Sequence, residues 1–297
     1  MCIRDRTTVA CIPAFNEEGV IGDLIKNTLS YVDSVVVCDD GSSDNTSVEA
    51  KEFGALVIKH NENKGKGAAL RTLFEHVRRS NAEIVVTIDG DGQFLPNEIK
   101  KLIKPIQDNL ADVVVGYRFD DGDEMPSYRK FGNKILDHAT NIVTNLPIRD
   151  TQSGFRAYSK KAIEQIEFSN DGFTADSEIL INAAEHGLRI SEEKITVIYD
   201  TGHRTSTKNP VSHAGGVLGS LIEIILVKHP LKYLGIPGIL VVLLGLGFLS
   251  NTISIYNETL ELPISFALVS IAILTLGILL LLSSGILFAI NRSVFHK

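Results

Sequence analysis

Short apolar runs punctuate the first 116 residues, at positions 9–12, 35–38, 56–58, 84–88 and 113–115. Each is rich in β-branched side chains and is bounded by Asn, Asp or Gly. Continuous apolar runs of this length predict strands buried on both faces, as in a mainly parallel sheet. Residues 18–31 and 66–79 are long enough for the crossover helices that parallel neighbours require. The expected fold class is therefore α/β, with ligands gathering outside the carboxyl ends of the strands. Polar clusters stand at those ends: Asn16-Glu17 after the first run, Asp39-Asp40 after the second, Asp89-Gly90-Asp91 after the fourth.

Past residue 117 the alternation loosens. Residues 118–127 are acidic and contain Gly, which predicts a loop, and 128–145 read as a helix. A second apolar–polar section covers 154–199, followed by a polar stretch at 200–212. Residues 213–229 then read as an amphipathic interfacial segment. In it Val217, Leu218, Leu221, Ile222, Ile224, Ile225 and Leu226 stand almost alone with Glu223.

From residue 230 the pattern changes. Between Lys232 and Glu258 lie 25 uncharged residues, and between Glu261 and Arg292 another 30. At about 1.5 Å per residue either run can cross a hydrocarbon core roughly 30 Å thick. The expectation is a membrane anchor over 230–297 with spans at about 233–256 and 264–290, behind a soluble domain over 7–212. Lys228 and Lys232 precede the first span and Arg292 and Lys297 follow the second, while the loop between them has no basic residue. The positive-inside rule then places both ends, and the large domain, in the cytoplasm. Such a chain would sit in the plasma membrane of a prokaryote or the endoplasmic reticulum of a eukaryote.

Residues 1–229 carry 26 basic and 34 acidic side chains, a net of −8. That balance argues against nucleic acid as principal partner, though not against phosphate ligands, which need only a few local cations. Cys2, Cys11 and Cys38 have neither metal nor disulfide spacing and fit a reducing compartment.

The chemistry concentrates in three clusters. Asp89-Gly90-Asp91-Gly92-Gln93 places two carboxylates at a strand end, hard oxygen ligands of the kind Mg²⁺ or Mn²⁺ shares with phosphate and water. Asp39-Asp40-Gly41-Ser42-Ser43-Asp44 offers carboxylates to a base or ribose, then a helix cap at Asp44. Asn63-Lys64-Gly65-Lys66-Gly67 opens a helix, where cations and free amides attract anions. No Walker A motif occurs.

In order along the chain, Ile12-Pro13-Ala14-Phe15-Asn16-Glu17-Glu18, the 39–44 cluster, Gly65-Lys66-Gly67 and the 89–93 turn resemble the signature of family 2 glycosyltransferases with the GT-A fold. Gly116-Tyr117-Arg118, Tyr128-Arg129-Lys130-Phe131-Gly132-Asn133 and Asp150-Thr151-Gln152-Ser153-Gly154-Phe155-Arg156 are similar to the polyprenyl- and dolichyl-phosphate hexose synthases. The resemblance implies an inverting enzyme. It would move one hexose from a nucleotide diphosphate sugar, of the GDP-mannose or UDP-glucose type, to a polyprenyl or dolichyl phosphate, with Mg²⁺ or Mn²⁺. It implies that Pro13, Ala14, Asn16, Glu17 and Asp39 line the nucleoside pocket, with Asp40, Lys66 and Arg156 also contacting substrate. Asp89, Asp91 and Gln93 would hold the metal, Arg118 and Arg129 the acceptor phosphate, and Arg204 and Lys208 would close over the donor. Asp150 is open to three readings: orienting the acceptor, acting as a base, or holding Arg149 or Arg156.

Rival readings are a membrane glycosyltransferase that extends a glycan or uses another lipid, and a non-catalytic nucleotide-sugar-binding membrane protein. A processive polysaccharide synthase would carry a Gln-x-x-Arg-Trp motif, and the chain has no tryptophan.

Overall fold

The computed structural model describes residues 7–118, 137, 140–141, 144, 146–168, 175–198, 226 and 229–295. They fall into two compact units, divided between residues 218 and 219.

In the first unit the five apolar runs form strands β1 (Thr8–Ala14), β2 (Ser34–Asp39), β3 (Leu56–Lys59), β4 (Ile84–Thr87) and β5 (Val113–Tyr117). Two more, β6 (Arg156–Ser159) and β7 (Ile190–Lys194), come from the 154–199 section. The sheet has the order β3-β2-β1-β4-β6-β5-β7. Among the described strands only β6 runs antiparallel, to both β4 and β5. Strand order reverses at β1, whose neighbours are β2 on one side and β4 on the other. A crevice at such a switch point is where open α/β sheets bind ligands.

Alternate residues of each strand feed two cores. Val9, Cys11, Val36, Cys38, Val85 and Val113 face helix α3 (Lys66–Arg78), which presents Ala69, Leu70, Leu73, Phe74 and Val77 along one stripe. Ala10, Ile12, Val35, Val37, Ile84 and Val86 face α1 (Ile21–Thr28) and α4 (Ile99–Gln107), through Ile21, Leu24, Ile25, Leu102 and Ile106. Helix α2 (Thr46–Glu52) lies between β2 and β3. α5 (Lys160–Gln165) is capped by the Ser159 hydroxyl, which accepts from the Ala162 amide at 3.2 Å. α6 (Ala175–Glu185) completes the α3 side of the core with Ile179, Leu180 and Ala183. Of the expected 128–145 helix only Asp137, Thr140, Asn141 and Thr144 are described, and all four are helical. The expected interfacial segment, 213–229, lies almost wholly outside the described residues.

The second unit is a helical hairpin. A π-helical turn (Leu231–Gly235) leads into α7 (Ile236–Thr259), and α8 (Ile264–Phe295) returns. Within the stretches Leu231–Thr259 and Ile264–Ile290, 18-residue segments reach mean hydropathies of 2.1 and 2.7, and both helices are long enough to cross a membrane. Glycines set the helix contact. A Cβ at Gly245 would come within 2.8 Å of Leu274, and one at Gly277 within 2.7 Å of Val242. Thr252 and Ser270 meet across the pair at 3.3 Å. Leu243, Leu244, Ile271, Leu279 and Leu282 remain more than half exposed.

Candidate active site

The ends of β1, β2 and β4 are stitched into one rim. After β1 the chain turns at Asn16, whose φ of 57° lies in the left-handed region that Asn tolerates. The Asn16 amide donates to the Ser42 hydroxyl at 2.9 Å, and its side-chain oxygen accepts from the Ser43 amide at 2.9 Å. The Glu17 amide donates to Thr46 Oγ1 at 2.8 Å. Pro13 and Ala14 are buried beneath the acidic turn, and a Cβ at Gly90 would meet the Pro13 carbonyl oxygen at 3.0 Å.

Asp39 and Asp40 both face inward. Asp39 is fully buried, accepts from the Ser42 amide at 2.8 Å and from the Ser47 hydroxyl, and pairs with Lys59 at 3.3 Å. Burial alone would raise this carboxyl; the bonds from Ser42, Ser47 and Lys59 outweigh it and hold Asp39 below the ordinary range. Asp40 takes the amides of Lys64 (3.0 Å) and Gly65 (2.7 Å) and faces the His60 ring at 2.7 Å. Its oxygens are spent on shaping the 60–65 loop. Gly41, at φ 76°, leaves room for the Glu62–Asn63 peptide, which any Cβ there would overlap. Asp44 accepts from the Thr46 amide at 3.0 Å. It thus meets the start of α2 as expected of a cap, one residue before the assigned N-cap.

Lys66, the first residue of α3, reaches across the crevice. Its Nζ lies 2.7 Å from Asp89 Oδ1 and 3.1 Å from Asp176 Oδ2. Burial would lower its pKa, but Asp176 and Asp89 raise it above the ordinary lysine value. Asp89 rests against Gly154, where a methyl group would overlap the carboxylate. The Gly154 carbonyl accepts from the Thr87 hydroxyl at 2.9 Å, locking that approach. The Gln93 amide donates to Asp91 Oδ1 at 3.1 Å. The Gln93 carbonyl accepts from the Ile198 amide at 2.9 Å, which pins the turn to the chain after β7.

Acids crowd this rim. Burial, then Asp89, pushes Asp91 up to about 6. Burial, then Asp91, Asp44 and Asp89, pushes Glu17 up to about 7. Among the described residues no three His, Cys, Asp or Glu side chains make a cation cage by themselves. Two carboxylates and the side-chain oxygen of Gln93 would leave coordination positions to ligand oxygens, as Mg²⁺ and Mn²⁺ sites do. Hard donors in an excess of negative charge fit such a cation.

Beyond β5, Arg118 forms a fork with Asp150: Nε to Oδ2 at 2.6 Å and NH2 to Oδ1 at 2.9 Å. The Arg118 amide also donates to Asp150, at 3.2 Å, and Asp150 is fully buried. Strand β5 runs parallel to β4 through β6, so Arg118 follows it at the same sheet edge as the 89–93 turn. Arg149 lies over the Tyr117 ring at 4.8 Å. Arg156 is fully buried behind the rim, donating to the carbonyls of Thr151 and Asp176, each at 2.7 Å. It therefore supports the 151–154 turn and the start of α6 and presents no exposed guanidinium. Arg129, Arg204 and Lys208 lie outside the described residues. Asp176 and His60, which no motif marked, join the site only through the fold.

Residues 9–167 match the family model described as glycosyl transferase family 2. The UDP-N-acetylglucosamine–dolichyl-phosphate N-acetylglucosaminyltransferase of Methanococcus voltae is 34% identical over 218 residues, 66% of this chain and 87% of that protein. A dolichyl-phosphate hexose transferase of Haloferax volcanii is 31% identical over 222 residues, 73% of this chain and 93% of its own length. Among solved structures, glucosyl-3-phosphoglycerate synthase of Mycobacterium tuberculosis, in complex with Mn²⁺, UDP and phosphoglyceric acid, aligns with a TM-score of 0.58. The match covers 75% of this chain and 78% of that one at 21% identity, a likeness of fold.

Proposed function

We propose that this chain, which belongs to glycosyl transferase family 2, transfers one hexose from a nucleotide diphosphate sugar to a polyprenyl or dolichyl phosphate at the cytoplasmic face of a membrane. It is an enzyme resembling the dolichyl-phosphate sugar transferases. The observation that carries the finer reading is the acidic turn Asp89–Asp91 with the Lys66 ammonium 2.7 Å from Asp89, at the sheet edge where Arg118 also follows the carboxyl end of β5. Such a site can bring two anionic substrates together against their repulsion.

In this reading Asp89, Asp91 and Gln93 would hold Mg²⁺ or Mn²⁺ at the donor site. The bound cation would supply Lewis-acid stabilisation of the charge that grows on the departing nucleoside diphosphate. Pro13, Ala14, Asn16 and Glu17 wall the nucleoside, while Asp39 and Asp40 act from beneath by fixing the loops around it. Lys66 turns from Asp89 toward the diphosphate when it arrives. Arg118, held by Asp150, orients the acceptor phosphate, with Arg129 beside it, and Arg204 and Lys208 cover the donor. An acceptor oxygen attacks the anomeric carbon as the bond to the β-phosphate breaks, so the configuration inverts. That oxygen is mostly ionised near pH 7, since a phosphate monoester's second pKa is about 6, and it needs no strong base.

The apolar hairpin anchors the domain, which suits an acceptor whose phosphate stays at the bilayer surface. A cysteine placed at Glu258, between the spans, should be labelled from outside sealed cells and not from the cytoplasm. Cytoplasmic labelling would reverse the topology.

To test the reaction, the full chain in detergent is incubated with UDP- and GDP-sugars plus polyprenyl phosphate, and the glycolipid is identified by mass. No glycolipid from any donor would end this reading, and retained anomeric configuration would end its inverting step.

Gly154→Ala checks the cation site separately. The three atoms nearest the added methyl all belong to the Asp89 carboxylate, so the fold should survive while that group swings away. Mn²⁺ affinity, read by electron paramagnetic resonance without acceptor, should fall about tenfold, or roughly 1.4 kcal/mol. Unchanged affinity would remove Asp89 from the ligand set.

A further inference from the structure

His60 has no role in the transfer as set out above, yet it stands at a junction. Its Nδ1 lies 2.7 Å from Asp40 Oδ1, and its Nε2 lies 2.9 Å from Thr72 Oγ1 and 3.6 Å from Cys38 Sγ. Cysteine, histidine and aspartate in that order resemble a nucleophilic triad. Cys38, however, is fully buried, and burial, then Asp40 and Asp39, pushes its thiol up to about 12. No substrate reaches it and no thiolate forms at neutral pH.

The array works in the opposite direction, through Asp40. Nδ1 faces a carboxylate, which only accepts, so it carries a proton, and Nε2 meets the Thr72 hydroxyl. Asp40 then holds the Lys64 and Gly65 amides at 3.0 and 2.7 Å. Gly65, at φ 91°, is the N-cap from which α3 departs, and Lys66 is the next residue, with its ammonium at Asp89. Thr72 lies on α3 itself, so the ring ties the carboxylate to the helix it positions. A buried carboxylate left half-partnered would be costly and loosely placed.

We propose that His60 is a positioning residue for the donor diphosphate: by fixing Asp40 it sets the 64–65 amides, and so presents the first turn of α3 and Lys66 to the phosphates. The inference rests on the nucleotide-sugar reading. A helix start held in advance binds an anion without first being ordered.

His60→Leu removes the donor to Asp40, whereas His60→Asn keeps an N–H near the Nδ1 position. The full chain in detergent is compared in three ways: UDP and GDP affinity against that of uridine and guanosine, amide exchange across residues 61–69, and donor KM against kcat. In His60→Leu, diphosphate affinity should weaken about tenfold with nucleoside affinity kept. Exchange in 61–69 should quicken, and KM should rise at nearly constant kcat. His60→Asn should recover most of each. Should His60→Leu fail to fold, Thr72→Val loosens the ring from its other side and should shift the same readouts by less. Equal losses for nucleoside and diphosphate, or no change in either, would overturn the proposal, as would unaltered exchange. If the wild-type chain binds neither nucleotide, the nucleotide-sugar reading fails, and the exchange comparison still decides whether His60 holds the 64–65 amides.

Discussion

Asp91→Ala should abolish sugar transfer while leaving the seven-stranded sheet folded. The side chain sits at the mouth of the crevice, outside both hydrophobic cores, and its described partner is the backbone amide of Gln93. On the proposed reading, removing it deletes a hard ligand where negative charge develops in the transition state. We expect a loss of at least about a thousandfold in kcat/KM, roughly 4 kcal/mol. EDTA should do the same to the wild type, with recovery on adding Mg²⁺ or Mn²⁺. The pH behaviour follows from the crowding of acids. Asp91 and Glu17 titrate near 6 and 7, above their unfolded values near 4. A carboxyl raised in the folded state favours folding below its unfolded pKa, and that contribution is lost as pH rises through the folded value. Without added cation the domain should therefore lose stability between about pH 4 and 7. Mg²⁺ binds the ionised forms, so its thermal stabilisation should grow across the same range. Full activity in Asp91→Ala, or a Mg²⁺ shift independent of pH, would dismiss the site.

Strands β1 to β5 were legible because each holds a short apolar, β-branched run, covered on both faces in all but the half-exposed edge strand β3. β6 and β7 were not. Arg-Ala-Tyr-Ser and Ile-Ser-Glu-Glu-Lys carry no such run, since β7 is a half-exposed edge strand and β6 buries an arginine. Charged edge strands resist pairing with other chains and owe their conformation to the neighbouring ladder. The 16–17, 39–44, 63–67 and 89–93 clusters could be placed at one sheet edge, because strand ends share an edge in a parallel sheet. How each acid is spent could not. Asp39 and Asp40 look alike in sequence and both read as ligand-facing, whereas both turn inward to hold loops. Arg156 in the same way reads as a substrate contact and proves a buried strut. Asp176 meets Lys66 from 110 positions away, and His60 meets Asp40 only because β3 lies beside β2. Contacts of that kind follow from topology, and local spacing carries no sign of them.

Asp150→Asn is the variant that separates orientation from proton transfer. In the structure Asp150 is committed to Arg118, with the guanidinium on both oxygens and the Arg118 amide as a third donor. A carboxylate so engaged is poorly placed to take a proton as well. The asparagine keeps the shape and one acceptor but turns an NH₂ toward a cation, so the fork is half lost. Breaking a buried pair by removing one charge costs up to about 3–5 kcal/mol of stability, and the melting temperature should fall accordingly. Turnover should fall about ten- to a hundredfold, or roughly 1.4–2.7 kcal/mol, as Arg118 loosens around the acceptor phosphate. An obligatory base would cost more, toward the upper end of the usual 10²–10⁴ range. Arg118→Gln tests the same link from the other side. If Asp150 acts through Arg118, the double variant should be little worse than the more damaged single one, because the second change has nothing left to disturb. At saturating Mg²⁺, which keeps Asp91 ionised, the acidic limb of the rate profile should track the acceptor phosphate near pH 6 and persist in Asp150→Asn. Losing that limb together with nearly all turnover, while donor binding stays normal, would make Asp150 the base and leave the ionised phosphate insufficient as a nucleophile.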